Sequence, residues 1–292
     1  MRYLDNKKVD SIVKEALRED IGRGDVTTSI SISDSIRRRA FIISKERGVL
    51  CGIDIARKVF KNVDASVKFN ILVKEGSSFK KDTKIAVITG KASSVLRAER
   101  VALNFLYYLS GIAAYTRKFA DRVKGTKIKI MDTRKTTPTL RFLEKYAVRV
   151  GGGYNHRFGL WDGVIIKDNH LKAFGIVKKR LINESRLEKL ITVLRRKTNL
   201  PVEIEVESIK ELKAVMKYKP DIVMLDNFKP SQLRKAVQWR NSNYPGIKLE
   251  ASGGINLKNI GSIAKTGVDF ISIGALTHSA PCIDYSLEIS DE

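Results

Sequence analysis

The sequence predicts an α/β fold in two parts, an α+β region over residues 1–111 and an irregular βα barrel over 112–276. Three observations carry this. Short β-like runs crowd the chain before Gly111. After it, apolar runs of strand length alternate with helical segments, and each such run ends in charged residues or glycine. Strands alternating with helices imply parallel βα units. Polar groups at the end of every strand mark a barrel mouth, whereas an open sheet gathers them at one switch point.

Taken in order, Val9, Ile12, Val13, Ala16 and Leu17 repeat at helical spacing, so the chain opens with an amphipathic helix. "IGRGD" ends it with two turn-forming glycines, and "DVTTSI" is expected to lead into extended chain. The runs "AFIIS", "SVKFNILV" and "KIAVITG" read as strands, with "EGSS" and "KKDT" as turns and a helix around Ile53–Lys61. An apolar helix from about Ser93 to Leu109 closes the region. "VALNFLYYLSGIAAY" is too short to span a bilayer and contains Asn104 and Gly111, so no membrane span is expected. Beyond Gly111 come "KIKIM", "GVIIK", "VEIEV", "DIVML", "IKLEA" and "DFISI". Eight strands are not visible, and the barrel is expected to be incomplete.

The composition narrows the function. Lys plus Arg number 55 against 32 Asp plus Glu, a net charge of +23 spread over every segment. Nucleic-acid binding is one reading of such a charge. With no nucleic-acid module in the chain, a solvated basic surface around a site for small anions is preferred. Cys51 and Cys282 cannot build a zinc site or a disulfide framework. Reduced, structural cysteines and an N-terminus without an apolar h-region suit a cytoplasmic protein.

Candidate chemistry lies at the strand ends. In "PVEIEVES", Glu203, Glu205 and Glu207 share one face and Val202, Ile204 and Val206 the other. In a barrel wrapped by helices the acidic face points inward and needs cations, from Lys or Arg or from a metal. An exposed edge strand is the alternative. Asp226, after "DIVML", is either a helix N-cap or a partner of Glu205 in holding Mg²⁺ or sugar hydroxyls. "EASGGIN" sets Ser252, Gly253 and Gly254 before a helix expected near Asn256, and "ISIGA" repeats the device at Gly274. Two such turns on the last two strands favour a phosphate site over plain turns. The three histidines show no metal-ligand spacing; His156 is singled out because it adjoins Arg157 after Gly151–Gly153. Asp132-Thr133-Arg134-Lys135 and Lys167 add cations at two further strand ends. No nucleophile signature is present, which points to a reaction run by positioning and electrostatics.

Read together, "EDIGRGDVTT", "ERVALNFLYYLSGIA", "DTRKTTPTLRFLEKYAVRVGGGYNHRFGL", "IIKDNH", "VEIEVES", "VMLDNF", "ASGGI" and "DFISIGALTHSA" resemble the quinolinate phosphoribosyltransferase family, from Glu19 to Ala280. Thr139 departs from the family's usual glycine after Thr-Pro, and Ala251 from its common valine. The resemblance implies phosphoribosyl transfer from phosphoribosyl pyrophosphate to quinolinate with loss of CO₂, giving nicotinate mononucleotide for NAD synthesis. It implies Mg²⁺, an N-terminal α/β sandwich to which the tail 277–292 returns, and a homodimer or a higher assembly of dimers. Carried onto this chain, Arg134, His156, Arg157 and Lys167 would bind the two carboxylates, with Arg100 arriving from a partner subunit. Lys135 would lie between quinolinate and the ribose, with Thr133 beside it. Glu205 and Asp226 would serve the ribose and Mg²⁺, and Ser252–Gly254 with Gly274 the 5′-phosphate. The sister group tied to molybdenum uptake shares many motifs. Arg100, Arg134 and His156-Arg157 argue for quinolinate instead.

Overall fold

The computed structural model describes residues 5–178 and 181–290. Two compact units emerge, one built from residues up to Arg117, Phe142–Gly152 and those from Ser279, the other from Lys118–Arg141 and Gly153–His278. The first unit runs through Gly111 to Arg117, and a helix from the middle of the sequence joins it.

In the first unit, α1 (Asn6–Ile21) starts where the Asp5 carboxylate accepts from the N–H groups of Lys7 and Lys8, and it buries Val9, Val13 and Leu17. "DVTTSI" is not extended: α2 (Val26–Ser31) forms there because Asp25 accepts from Thr28 N at 2.9 Å, a side-chain cap on an orphan donor. The sheet places the C-terminal strand (Tyr285–Ile289), β1 (Arg37–Ser44), β3 (Lys84–Lys91) and β2 (Lys68–Ile71) side by side, all antiparallel. Between β1 and β2, α3 (Ile53–Val63) packs on α1, its start held by Glu75, which accepts from Gly52 N and Ile53 N.

The helix expected to stop near Leu109 is α4 (Ala92–Arg122), which runs straight through Gly111. That glycine serves close packing instead of termination. A Cβ there would lie 2.5 Å from the Pro281 carbonyl oxygen and 2.9 Å from Cys282 Cα. With no proline from 92 to 122 and a run of helix formers after Gly111, nothing ends the helix sooner. In α5 (Arg141–Val150) the buried Glu144 accepts from Tyr108 OH.

The second unit holds all six expected parallel strands: β4 (Lys129–Met131), β5 (Val164–Ile166), β6 (Val202–Val206), β7 (Ile222–Asp226), β8 (Lys248–Ser252) and β9 (Phe270–Ser272). Their order is β4-β9-β8-β7-β6-β5, every pair parallel. Beyond β4 one more position forms, where Tyr154 N donates to Ile130 O and Asp132 N to Tyr154 O. Among the described residues no ladder joins that segment to β5, so the barrel is open there.

Side-chain alternation sorts the strands into two faces. Outward go Ile130, Ile166, Val202, Ile204, Val206, Val223, Leu225, Leu249, Ala251 and Ile271, all at most 4% exposed. The apolar stripes of α6 (Glu184–Lys197), α7 (Ile209–Met216) and α8 (Pro230–Asn243) are buried too. Each fully buried Val, Ile or Leu contributes roughly 1.5–3 kcal/mol. That burial forces the other face inward, where Lys167, Glu203, Glu205, Asp226, Glu250, Ser252 and Ser272 stand among a few apolar side chains such as Ile165 and Met224. The expected acidic face of β6 therefore does turn inward at Glu203 and Glu205; Glu207, past the strand end, is exposed.

Candidate active site

The C-terminal ends of the six strands enclose a cavity of about 690 Å³. Of the residues singled out from sequence, Thr133, Arg134, Lys135, His156, Arg157, Lys167, Glu205, Asp226, Ser252, Gly253, Gly254 and Gly274 all line it. Arg100 does not; it is exposed on α4 in the first unit.

One wall is a backbone cradle. Gly253 and Gly254 have φ of 90° and 60°, a region that favours glycine. Their N–H groups donate to no acceptor among the described residues, so two backbone donors face the cavity. A Cβ on Gly253 would come 2.9 Å from Asn227 N, whereas one on Gly254 meets nothing within 4 Å. The helix expected at Asn256 begins later, as α9 (Ile260–Ala264), because Asn256 Oδ1 accepts from Lys258 N and Asn259 N and holds a turn there. The loop amides, not a helix end, offer the anion site. Gly274 completes the wall, where a Cβ would crowd Lys135 Cδ at 3.0 Å and His278 Nε2 at 3.2 Å. His278, a lone histidine with no spacing signal that reads in sequence as a structural group, lines the cavity as well.

The opposite wall is cationic. Arg134 and Arg157 are each half-buried, and the Nε of each is buried without a partner. Burial, then repulsion from Arg134, lowers the pKa of Arg157. Arg157 Nη1 donates to Gly163 O at 2.8 Å, fixing the side chain's direction. Lys167 pairs with Glu205. Just before this wall, Thr139 adopts φ 68°, in the left-handed region that a β-branched residue rarely occupies. Thr139→Gly should therefore stabilise the protein by about 1 kcal/mol, the low end of the strain for such a residue. Urea unfolding measures this, and a lower midpoint would refute the strain.

Two carboxylates stand between the walls. Glu205 accepts from Lys167 through Oε2, and Asp226 accepts from Asn227 Nδ2 at 2.7 Å through Oδ2. That leaves Oε1 of Glu205 and Oδ1 of Asp226 without a protein donor among the described residues. Such oxygen donors beside an open cavity fit a hard cation such as Mg²⁺, which keeps several of its waters.

The floor was not anticipated. Glu203 and Glu250, 3% and 1% exposed, each place an oxygen 3.3 Å from His156 Nε2. Ser272 OH donates to Glu250 Oε1 at 2.5 Å. Burial disfavours charge on His156, whereas Glu203 and Glu250 favour it and draw the ring hydrogen to Nε2. Burial and Glu250 raise the pKa of Glu203. Although these three groups lie close enough to hold a metal, Nδ1 accepts from Arg157 N at 2.8 Å. The ring hydrogen then sits on Nε2, which cannot also ligate, so the set does not fit a metal. The signal for Glu250 was present in "KLEAS", the same alternation as in "VEIEV".

Comparison with known proteins agrees with this architecture. The family models for the quinolinate phosphoribosyl transferase N-terminal and C-terminal domains match residues 25–110 and 112–288. The nicotinate-nucleotide pyrophosphorylase [carboxylating] of Mycobacterium leprae is 40% identical over 280 residues, 95% of each chain. The quinolinate phosphoribosyltransferase [decarboxylating] 1b of Nicotiana tabacum is 39% identical over 96% of this chain and 82% of its own. Among solved structures, the nicotinate-nucleotide pyrophosphorylase from Francisella tularensis superposes with a TM-score of 0.87 at 39% identity, over 98% of both chains. With both domain models matched in order and full-length relatives at this identity, the chain belongs to the quinolinate phosphoribosyltransferase family.

Proposed function

We propose that this protein transfers phosphoribose from phosphoribosyl pyrophosphate to quinolinate and releases CO₂, forming nicotinate mononucleotide and pyrophosphate for NAD synthesis. The observation that carries this reading is one cavity with a phosphate-type backbone cradle on one side and unpaired guanidiniums on the other. The family name of the relatives favours it over the molybdenum-linked sister group.

In this reading Arg134, Arg157 and Lys167 pair with the two carboxylates, for which the arginine fork is suited. Lys135, with Thr133 beside it, lies toward the ribose and pyrophosphate. Ser252, Gly253, Gly254 and Gly274 hold the 5′-phosphate. As pyrophosphate departs, positive charge develops on the ribose, as in glycoside cleavage, and Glu205 and Asp226 stabilise it. Those two carboxylates would also hold Mg²⁺, which would neutralise charge on the leaving group. Ribosylation makes the ring nitrogen cationic; that charge stabilises the electron pair left at C2 when CO₂ leaves, and a proton from water then takes up that pair to form the C2–H bond of the product. The working unit is a homodimer in which Arg100 completes a neighbouring subunit's pocket. Two unpaired cysteines and the absence, among the described residues, of a helix able to cross a membrane support a cytoplasmic site.

Comparison of quinolinate with nicotinate tests the function. A site with cations for two carboxylates leaves one cation set unpaired when nicotinate binds. Truncating such a pair costs about 2–5 kcal/mol, so quinolinate should be preferred by at least roughly 30-fold. Product assay and calorimetric titration measure this. Equal use of both acids would refute the dicarboxylate assignment.

A further inference from the structure

We propose that Glu203 and Glu250 are positioning residues that hold His156 as a brace across the barrel floor. The brace seats the backbone of Arg157 at the anion pocket, and His156 itself does not touch the substrate. The part concerning substrate rests on the function proposed above; the brace does not.

The segment carrying Tyr154, His156 and Arg157 pairs with β4 at Tyr154. His156 ties it to the rest of the barrel at three further points. Its N–H donates to Asp132 Oδ1 at 2.9 Å, at the end of β4, and Asp132 is fully buried. Its Nε2 reaches 3.3 Å to Glu203 on β6 and 3.3 Å to Glu250 on β8, on the far side of the interior. Its Nδ1 accepts the N–H of Arg157 at 2.8 Å. Both ring nitrogens are thus committed within the protein.

Arg157 is the residue that gains. It follows the braced ring directly, and no carboxylate of the described chain pairs with it within 4.0 Å. Its charge is left for a ligand. A second cavity of about 270 Å³ lies at the strand starts, lined by Val164, Pro201, Ile222 and Phe270, and His156, Glu203 and Glu250 line it too. The brace therefore lies between two open spaces and not in a filled core. Where a barrel usually stacks branched apolar side chains in its middle layer, this one relies on a charged cross-link to fix the ring.

Two measurements test the proposal. Amide hydrogen exchange at Arg157 needs no substrate. Exchange should be at least roughly tenfold faster in Glu203→Ala and Glu250→Ala, the scale of a lost hydrogen bond to a charged group. Glu203→Gln and Glu250→Gln, which keep an acceptor, should fall between these and wild type; they also serve if an alanine variant does not fold. Unchanged exchange in all four overturns the brace, whatever the substrate proves to be. In steady-state kinetics, the same variants should raise KM for quinolinate by about tenfold or more. They should leave KM for the phosphoribosyl donor and saturated turnover within about threefold of wild type. His156→Gln, which keeps a donor toward the glutamates, should retain more quinolinate affinity than His156→Asn. The double variant Glu203→Ala/His156→Asn should be no worse than His156→Asn alone. Additive losses, or glutamate variants with unchanged KM beside impaired His156 variants, would mean that His156 contacts the substrate directly. A wild-type enzyme inactive on quinolinate would refute the proposed function, while the exchange measurement would still decide the brace.

Discussion

Glu205→Gln and Asp226→Asn are expected to lower saturated turnover by roughly 10²–10³, the cost of removing one electrostatic stabiliser of a transition state. Quinolinate affinity should hardly fall. Glu205 pairs with Lys167, and a glutamine there releases that lysine for the substrate. The two effects therefore separate: kcat drops while the calorimetric Kd for quinolinate stays the same or tightens. Both variants should need more Mg²⁺ to reach half-maximal rate, since each keeps its shape but loses a charged oxygen donor. Near wild-type turnover at saturating Mg²⁺ would remove both residues from the reaction.

Gly253→Ala is expected to raise KM for phosphoribosyl pyrophosphate by roughly 10²-fold, the scale of losing an aligned donor. A Cβ at this position would lie 2.9 Å from Asn227 N and 2.7 Å from Asn227 Cγ, with φ already at 90°. Asn227 cannot move freely to relieve the clash. Its N–H donates to Ser252 O at 2.9 Å, and its side chain holds Asp226. One methyl group therefore disturbs the cradle and the Asp226 carboxylate together. Gly254→Ala is the control. Its Cβ would meet nothing within 4 Å, so only the left-handed backbone is strained, by about 1–3 kcal/mol of stability. Similar KM values for the two variants would show that the cradle does not hold the phosphate.

Several local features were open to reading and others were not. The Asp25 cap that starts α2 stands in "GDVTT", yet a helix of six residues is too short to show a period, so the stretch reads as extended. Gly111 reads as a stop because glycine disfavours helix in isolation. Its actual role depends on Pro281 and Cys282, which only the fold brings to it. Asn256 reads as a helix start; its side chain instead closes a turn on Lys258 and Asn259. In each case a weak local preference competed with a contact that lies outside any short window.

By itself, the sequence determined the six parallel strands, their two faces and the store of cations and carboxylates at their ends. Strand periodicity is a local property: once one face is apolar enough to be buried, the other must point inward. Only the tertiary structure decided which of these inward groups meet. Glu203 and Glu250 belong to different strands, and His156 comes from a segment outside all six. What makes them a brace is a pair of 3.3 Å approaches across the barrel. Distance in space sets the charge and the partner of a buried group, and spacing along the chain carries none of that information.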